Sequence, residues 1–179
     1  LGDPVAALRT RAVRSVREIA RRGDERVVEA LLQRTGAERD RGVRAAAAGA
    51  LGEVAQRGDV RACEALLRCL GTAGDVQLRE AAALALGKVA PRSNGQVIEA
   101  LACCLDSDPD RGARASAAFV LGKVACMDDL RAVEALTYRF EDQDEDDRVS
   151  AVAGHALKRL GLDVDVDDEA VDENQCVLS

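Results

Sequence analysis

One stretch of this chain is written three times at a fixed spacing. "VRAAAAGALGEVA" (43–55), "LREAAALALGKVA" (78–90) and "ARASAAFVLGKVA" (113–125) coincide when the sequence is slid against itself by 35 residues. The same shift brings "LRTRAVRSVREIA" (8–20) into looser register, and a shift of 36 adds "VSAVAGHALKRLG" (149–161). A second segment keeps the period: "VEALL" (28–32), "CEALL" (63–67), "IEALA" (98–102) and "VEALT" (133–137). This feature constrains the fold more than any other, because a unit so short cannot bury an apolar face alone and must stack on its neighbours.

Both segments carry helical periodicity. Val43, Ala47, Ala50, Leu51 and Val54 share one face, as do Cys63, Leu66, Leu67 and Leu70. With 47% apolar residues but no Trp, one Tyr and two Phe, the core must be built from Ala, Leu and Val, whose small volumes let helices approach closely. The pattern predicts an all-α fold: an α-solenoid of about five helix-pair repeats of period 35, wound as a right-handed α-α superhelix over residues 1–161. The tail, residues 162–179, is dense in acids and is expected to be disordered.

The joints explain a duplicated Arg-Gly-Asp, in "RRGDERVVEALL" (21–32) and "QRGDVRACEALL" (56–67). Read as an adhesion motif it would imply a cell-surface protein. Read as punctuation, Gly23 and Gly58 end one helix in the left-handed conformation while Asp24 and Asp59 cap the next. Asn94 and Asp129 fall in the capping place of the later units, where Arg-Gly-Asp itself is lost, so the structural reading is preferred. Asp40, Asp75, Asp110 and Asp146 are placed to cap the other helix of each unit, and the first three to pair with Arg44, Arg79 and Arg114 one turn on. Gly52, Gly87 and Gly122 sit inside helices at about 1 kcal/mol cost relative to Ala, which predicts close approach of a neighbouring helix. Arg17 and Lys158 replace them in the outer units, where no neighbour is expected.

The segments 43–67, 78–102 and 113–137, each behind an acidic turn, make the chain resemble the HEAT-repeat superfamily over roughly residues 4–161, and in particular the short HEAT-like repeats of phycobilisome-lyase-type proteins. The resemblance implies a non-catalytic protein-interaction scaffold or adaptor that needs no cofactor. An enzyme-associated or lyase-type subunit is the alternative it leaves open.

Repeat positions become rows along such an array. If the second helices line the concave side, the candidate partner-binding rows are Arg26, Arg61, Gln96 and Arg131, then Glu29, Glu64, Glu99 and Glu134, with Arg68 and Tyr138 in a more variable row that also holds Gln33 and Cys103. Opposite charges three residues apart are expected to pair along each helix. Residues 1–22 hold six Arg against Asp3 and Glu18, whereas residues 141–179 hold thirteen acids against three bases, which suggests head-to-tail self-association. Nucleic acid is disfavoured, because the basic surface does not run the length of the chain and aromatics for base stacking are scarce.

Catalytic readings find little support. The iron-dependent hydroxylases of HEAT-like fold need several His-Glu pairs, and His155 is the only His and has no Glu after it. Asp163, Asp165 and Asp167 imitate a calcium loop, but Asp168 stands where the turn needs Gly and Asn174 where the bidentate Glu belongs, so no metal site is expected. Cys63, Cys69, Cys103, Cys104 and Cys126 fall in apolar helical patterns without any C-x-x-C, consistent with small core residues in a reducing, intracellular compartment. The terminal "CVLS" fits a prenylation box with farnesyl on Cys176, which would add reversible membrane attachment. The cytoplasm is the expected location, and a chain opening on Leu1 leaves import into an organelle open.

Overall fold

The computed structural model describes residues 4–142 and 146–166, and among these the backbone forms nine helices and no strand. They are α1 (Pro4–Ile19), α2 (Glu25–Ala37), α3 (Arg41–Val54), α4 (Val60–Leu70), α5 (Val76–Val89), α6 (Gly95–Ser107), α7 (Arg111–Val124), α8 (Leu130–Glu141) and α9 (Asp147–Leu160). The fold is an all-α solenoid of helix-pair repeats. It divides between Ala90 and Pro91 into two compact units, α1–α5 and α6–α9.

In the first unit α1, α3 and α5 pack side by side and α2 packs on α4; in the second α7 packs on α9 and α6 on α8. The two layers meet through α2 on α3, α4 on α5, α6 on α7 and α8 on α9. These hairpins turn through the acidic loops, and their contact is more extensive than that of α3 with α4 across the Arg-Gly-Asp joint. The cores are two repeated leucine positions. Leu31 and Leu66 of the first unit, and Leu101 and Leu136 of the second, are buried on the even-numbered helices; Leu51, Leu86, Leu121 and Leu157 are buried on the odd-numbered ones. Each fully buried Leu contributes about 1.5–3 kcal/mol.

Every acidic-turn Asp caps as the sequence predicts. Asp40 accepts from the Val43 amide, Asp75 from Leu78, Asp110 from Ala113 and Asp146 from Arg148. Arg44, expected to pair with Asp40 on its own helix, pairs with the next repeat instead. Arg44 donates to Asp75 at 2.9 Å, and Arg111 to Asp146 at 3.0 Å, because each Asp stands beside the preceding odd-numbered helix. Arg9, which occupies the register of Arg44, reaches Glu38 instead.

The Arg-Gly-Asp joints are structural throughout. Gly23 and Gly58 have φ of +85° and +89°, and their amides donate to the Val54 and Val89 carbonyls at 2.6 and 2.7 Å, satisfying the end of the next odd-numbered helix. In the second unit Ser93 takes the same role, with φ +53° and a 2.8 Å bond to the Val124 carbonyl. Arg22 donates to the carbonyls of Ala55 and Lys88, while Asp24, Asp59 and Asn94 cap their helices. Asp129 does not cap α8. Its carboxylate accepts from the Cys126 amide at 2.7 Å and from the Ser93 hydroxyl at 2.9 Å.

A Cβ on Gly52 would lie 2.7 Å from the Cα and Cβ of Ala85, and one on Gly122 2.8 Å from those of Ala156, so both glycines mark close helix approach as expected. Arg17 departs from the expectation: α1 does have a packed neighbour, α3, so a missing partner does not explain the residue. Residues 162–166 follow α9 with Leu162, Val164 and Val166 half-buried and Asp163 and Asp165 exposed. Val166 lies over Gly154, where a Cβ would meet its Cγ2 at 2.7 Å and Phe140 Cε2 at 2.8 Å, and Lys158 Nζ donates to the Val166 carbonyl.

Candidate interaction surface

The row residues come from the even-numbered helices, whose apolar stripe faces the odd-numbered layer and leaves the opposite side to solvent. In the first unit Arg26, Glu29, Arg61, Glu64 and Arg68 are exposed; in the second Gln96, Glu99, Glu134 and Tyr138 are exposed and Arg131 is half-buried. The expected pairing along each helix is replaced by a ladder between helices. Arg61 bonds Glu25 at 2.7 Å and approaches Glu29 at 3.9 Å, and the equivalent Arg131 lies 3.4 Å from Glu99 and 2.7 Å from Asp106. Hydrogen bonding to Glu25 and Asp106 respectively pushes both guanidiniums up from their ordinary value. A long Arg side chain reaches the neighbouring helix more readily than it folds back three residues along its own.

Arg26, Glu64, Arg68, Gln96 and Glu134 form no ion pair among the described residues and remain available. Tyr138 lies beside the Arg139 guanidinium, 5.1 Å from ring centroid to Cζ. Within each unit the odd-numbered helices approach one another more closely than the even-numbered ones do.

Two cysteines expected in the core are on the surface. Cys103 is exposed and donates to Glu99 at 3.3 Å, and that hydrogen bond raises its thiol pKa; Cys126 is exposed at the Ser93–Asp129 cluster. Cys63, Cys69 and Cys104 are buried as predicted, and burial pushes the thiols of Cys63 and Cys69 up. His155 is half-buried in α9, with Nε2 enclosed and without a hydrogen-bond partner among the described residues. Asp163 and Asp165 are exposed; Asp167, Asp168, Asn174 and Cys176 lie outside the described residues.

Sequence reasoning missed one polar site. Glu38 accepts from Arg9 at 3.0 Å, from Arg34 at 3.2 Å and from the amides of Arg39 and Asp40. The Asp40 amide holds this carboxyl below the usual range against the opposing effect of burial, with Arg9 adding to it. Beside it an open cleft of about 800 Å³ is lined by Gln33, Ala37 and Arg39 as well. The available signal was Arg9 itself, which occupies the register position of Arg44.

Residues 1–87 match the family model described as HEAT repeats, a span that runs from the first helix nearly to the end of α5. No curated protein matches the chain.

Proposed function

This chain is a member of the HEAT-repeat superfamily, and from that premise we propose that it acts as a non-catalytic scaffold, holding a protein partner on the polar face of its even-numbered helices. HEAT repeats generally mediate protein–protein interaction and are typically non-catalytic. The observation that supports this face is the division within its rows. Arg61, Arg131 and Glu99 are engaged between helices, which orders the surface, while Arg26, Glu64, Arg68, Gln96 and Glu134 keep their hydrogen-bonding capacity. Exposed ion pairs contribute little to folding, so the face can change without loss of the core. Farnesylation of Cys176 would add reversible membrane attachment to this cytoplasmic role.

The test is to reverse Glu64 and Glu99 to Lys together and compare the proteins captured from native extract with those captured by the wild type. Partners of this face should be lost by at least tenfold, with the helical circular dichroism unchanged. Retention of every partner by a folded variant would refute the assignment.

A further inference from the structure

Seven large apolar side chains are exposed among the described residues, and six of them lie in the first or last helical layer of the repeat series. Val5, Leu8 and Ile19 are on α1; Met127 precedes α8, and Leu130 and Tyr138 are on it; Val60 is the seventh. Val5, Leu8, exposed Ala12 and Ile19 follow the i, i+3, i+7, i+14 spacing of one helix face. Leu130, Glu134 and Tyr138 follow i, i+4, i+8. Ile19 is 81% and Leu130 70% exposed, values far from those of a packed helix stripe. Among the described residues, Val166 lies against Gly154 and Lys158 of α9, whereas Leu130 and Tyr138 leave the outer side of α8 exposed.

Charge selects what can cover these faces. Arg11, Arg14 and Arg17 are exposed on α1 with Glu18 as the single acid among them, whereas the exposed side of α8 carries Glu134 and Glu141, with Asp128 at its start. Two copies meeting α1 to α1, or α8 to α8, would oppose like charges. Only α1 against α8 sets apolar side chains together and arginines beside carboxylates.

We propose that α1 of one molecule docks on α8 of a second copy, with Val5, Leu8 and Ile19 against Leu130 and Tyr138 and with Arg11, which flanks that face, beside Glu134 and Glu141. This goes beyond the scaffold reading; it shares Glu134 and Tyr138 of α8 with that face, but its apolar contacts do not use Glu64 and Glu99, so the two tests fail separately. The contact is heterologous, so each dimer keeps one open α1 and one open α8 and further copies can add. A single helix-on-helix contact buries far less than the roughly 1,200–2,000 Å² of a stable interface. The association is therefore weak, and its charged rim is screened by salt.

Sedimentation velocity of the full chain over a wide concentration range tests this directly. Wild-type protein should sediment faster as concentration rises and revert when salt is added. A head variant, Leu8→Glu with Ile19→Glu, and a tail variant, Leu130→Lys with Tyr138→Lys, should each lose at least tenfold in association constant. All four positions are exposed, and circular dichroism checks that the helices persist. Mixing the two variants should then restore a one-to-one dimer and nothing larger, because the head variant keeps its α8 and the tail variant keeps its α1. A wild type that stays monomeric, a folded variant that associates like wild type, or a mixture that stays monomeric would each overturn the proposal.

Discussion

One added methyl group at position 52 sets helix propensity against helix spacing. Ala in place of Gly favours a helix interior by about 0.8–1 kcal/mol. At this position, however, the new Cβ would lie 2.7 Å from the Cα and Cβ of Ala85, whereas carbon atoms in contact prefer about 3.5–4.0 Å. Helices α3 and α5 must open by about 1 Å, and Ala85 has no rotamer with which to yield. Overpacking costs about 1–3 kcal/mol, and atoms this rigid place Gly52→Ala in the upper half of that range. Set against the propensity gain, the variant should be destabilised by about 1–2 kcal/mol. The same helix carries its own control. Gly49 has nothing within 4 Å of its would-be Cβ, so Gly49→Ala should gain up to about 1 kcal/mol. At about 2–4 °C per kcal/mol for a chain of this size, Gly52→Ala should lower Tm by about 2–8 °C and Gly49→Ala raise it by about 2–4 °C. Thermal and urea unfolding followed by far-ultraviolet circular dichroism measure both. If the two variants are stabilised alike, the close packing of α3 on α5 is refuted.

Truncating the buried leucines tests the shared core: Leu66→Ala or Leu101→Ala should cost about 2–5 kcal/mol, read as a fall in the urea midpoint, and an unchanged midpoint would sink the packing scheme. Acid stability gives another check. The Arg111 guanidinium, 3.0 Å from Asp146, holds that carboxyl below its ordinary value of 3.8, with desolvation opposing and the Arg148 amide assisting. Because the folded pKa is depressed, this stabilisation is complete above 3.8 and is lost as pH falls through the lower folded value. Arg111→Ala should therefore flatten the fall of the urea midpoint within that acidic window, and a slope equal to that of wild type would contradict the attribution.

The helices were legible because one pattern recurs: a stripe that returns at period 35 marks itself as a core, and Asp before each "VR" or its equivalent marks a cap. Partner choice among charges was not legible. Arg44 has Asp40 in reach along its own helix, yet it binds Asp75, and Arg61 passes over Glu64 for Glu25. Sequence spacing describes one helix, whereas the partners belong to the next. Asp129 misled for a related reason: Ser93 and Cys126, remote from each other in sequence, meet at its carboxylate and draw it from the cap position.

The segment over α9 also limits how the array could be lengthened by design. Appending a helix pair in register would require its first helix to settle along the Gly154 and Lys158 side of α9. Val166 already occupies that trough, and Lys158 stands where the interior repeats use glycine. Concatenated copies would therefore join as beads on a string. A continuous rod would need Lys158 exchanged for Gly and residues 162–166 removed, after which the exposed groove would accept the next odd-numbered helix.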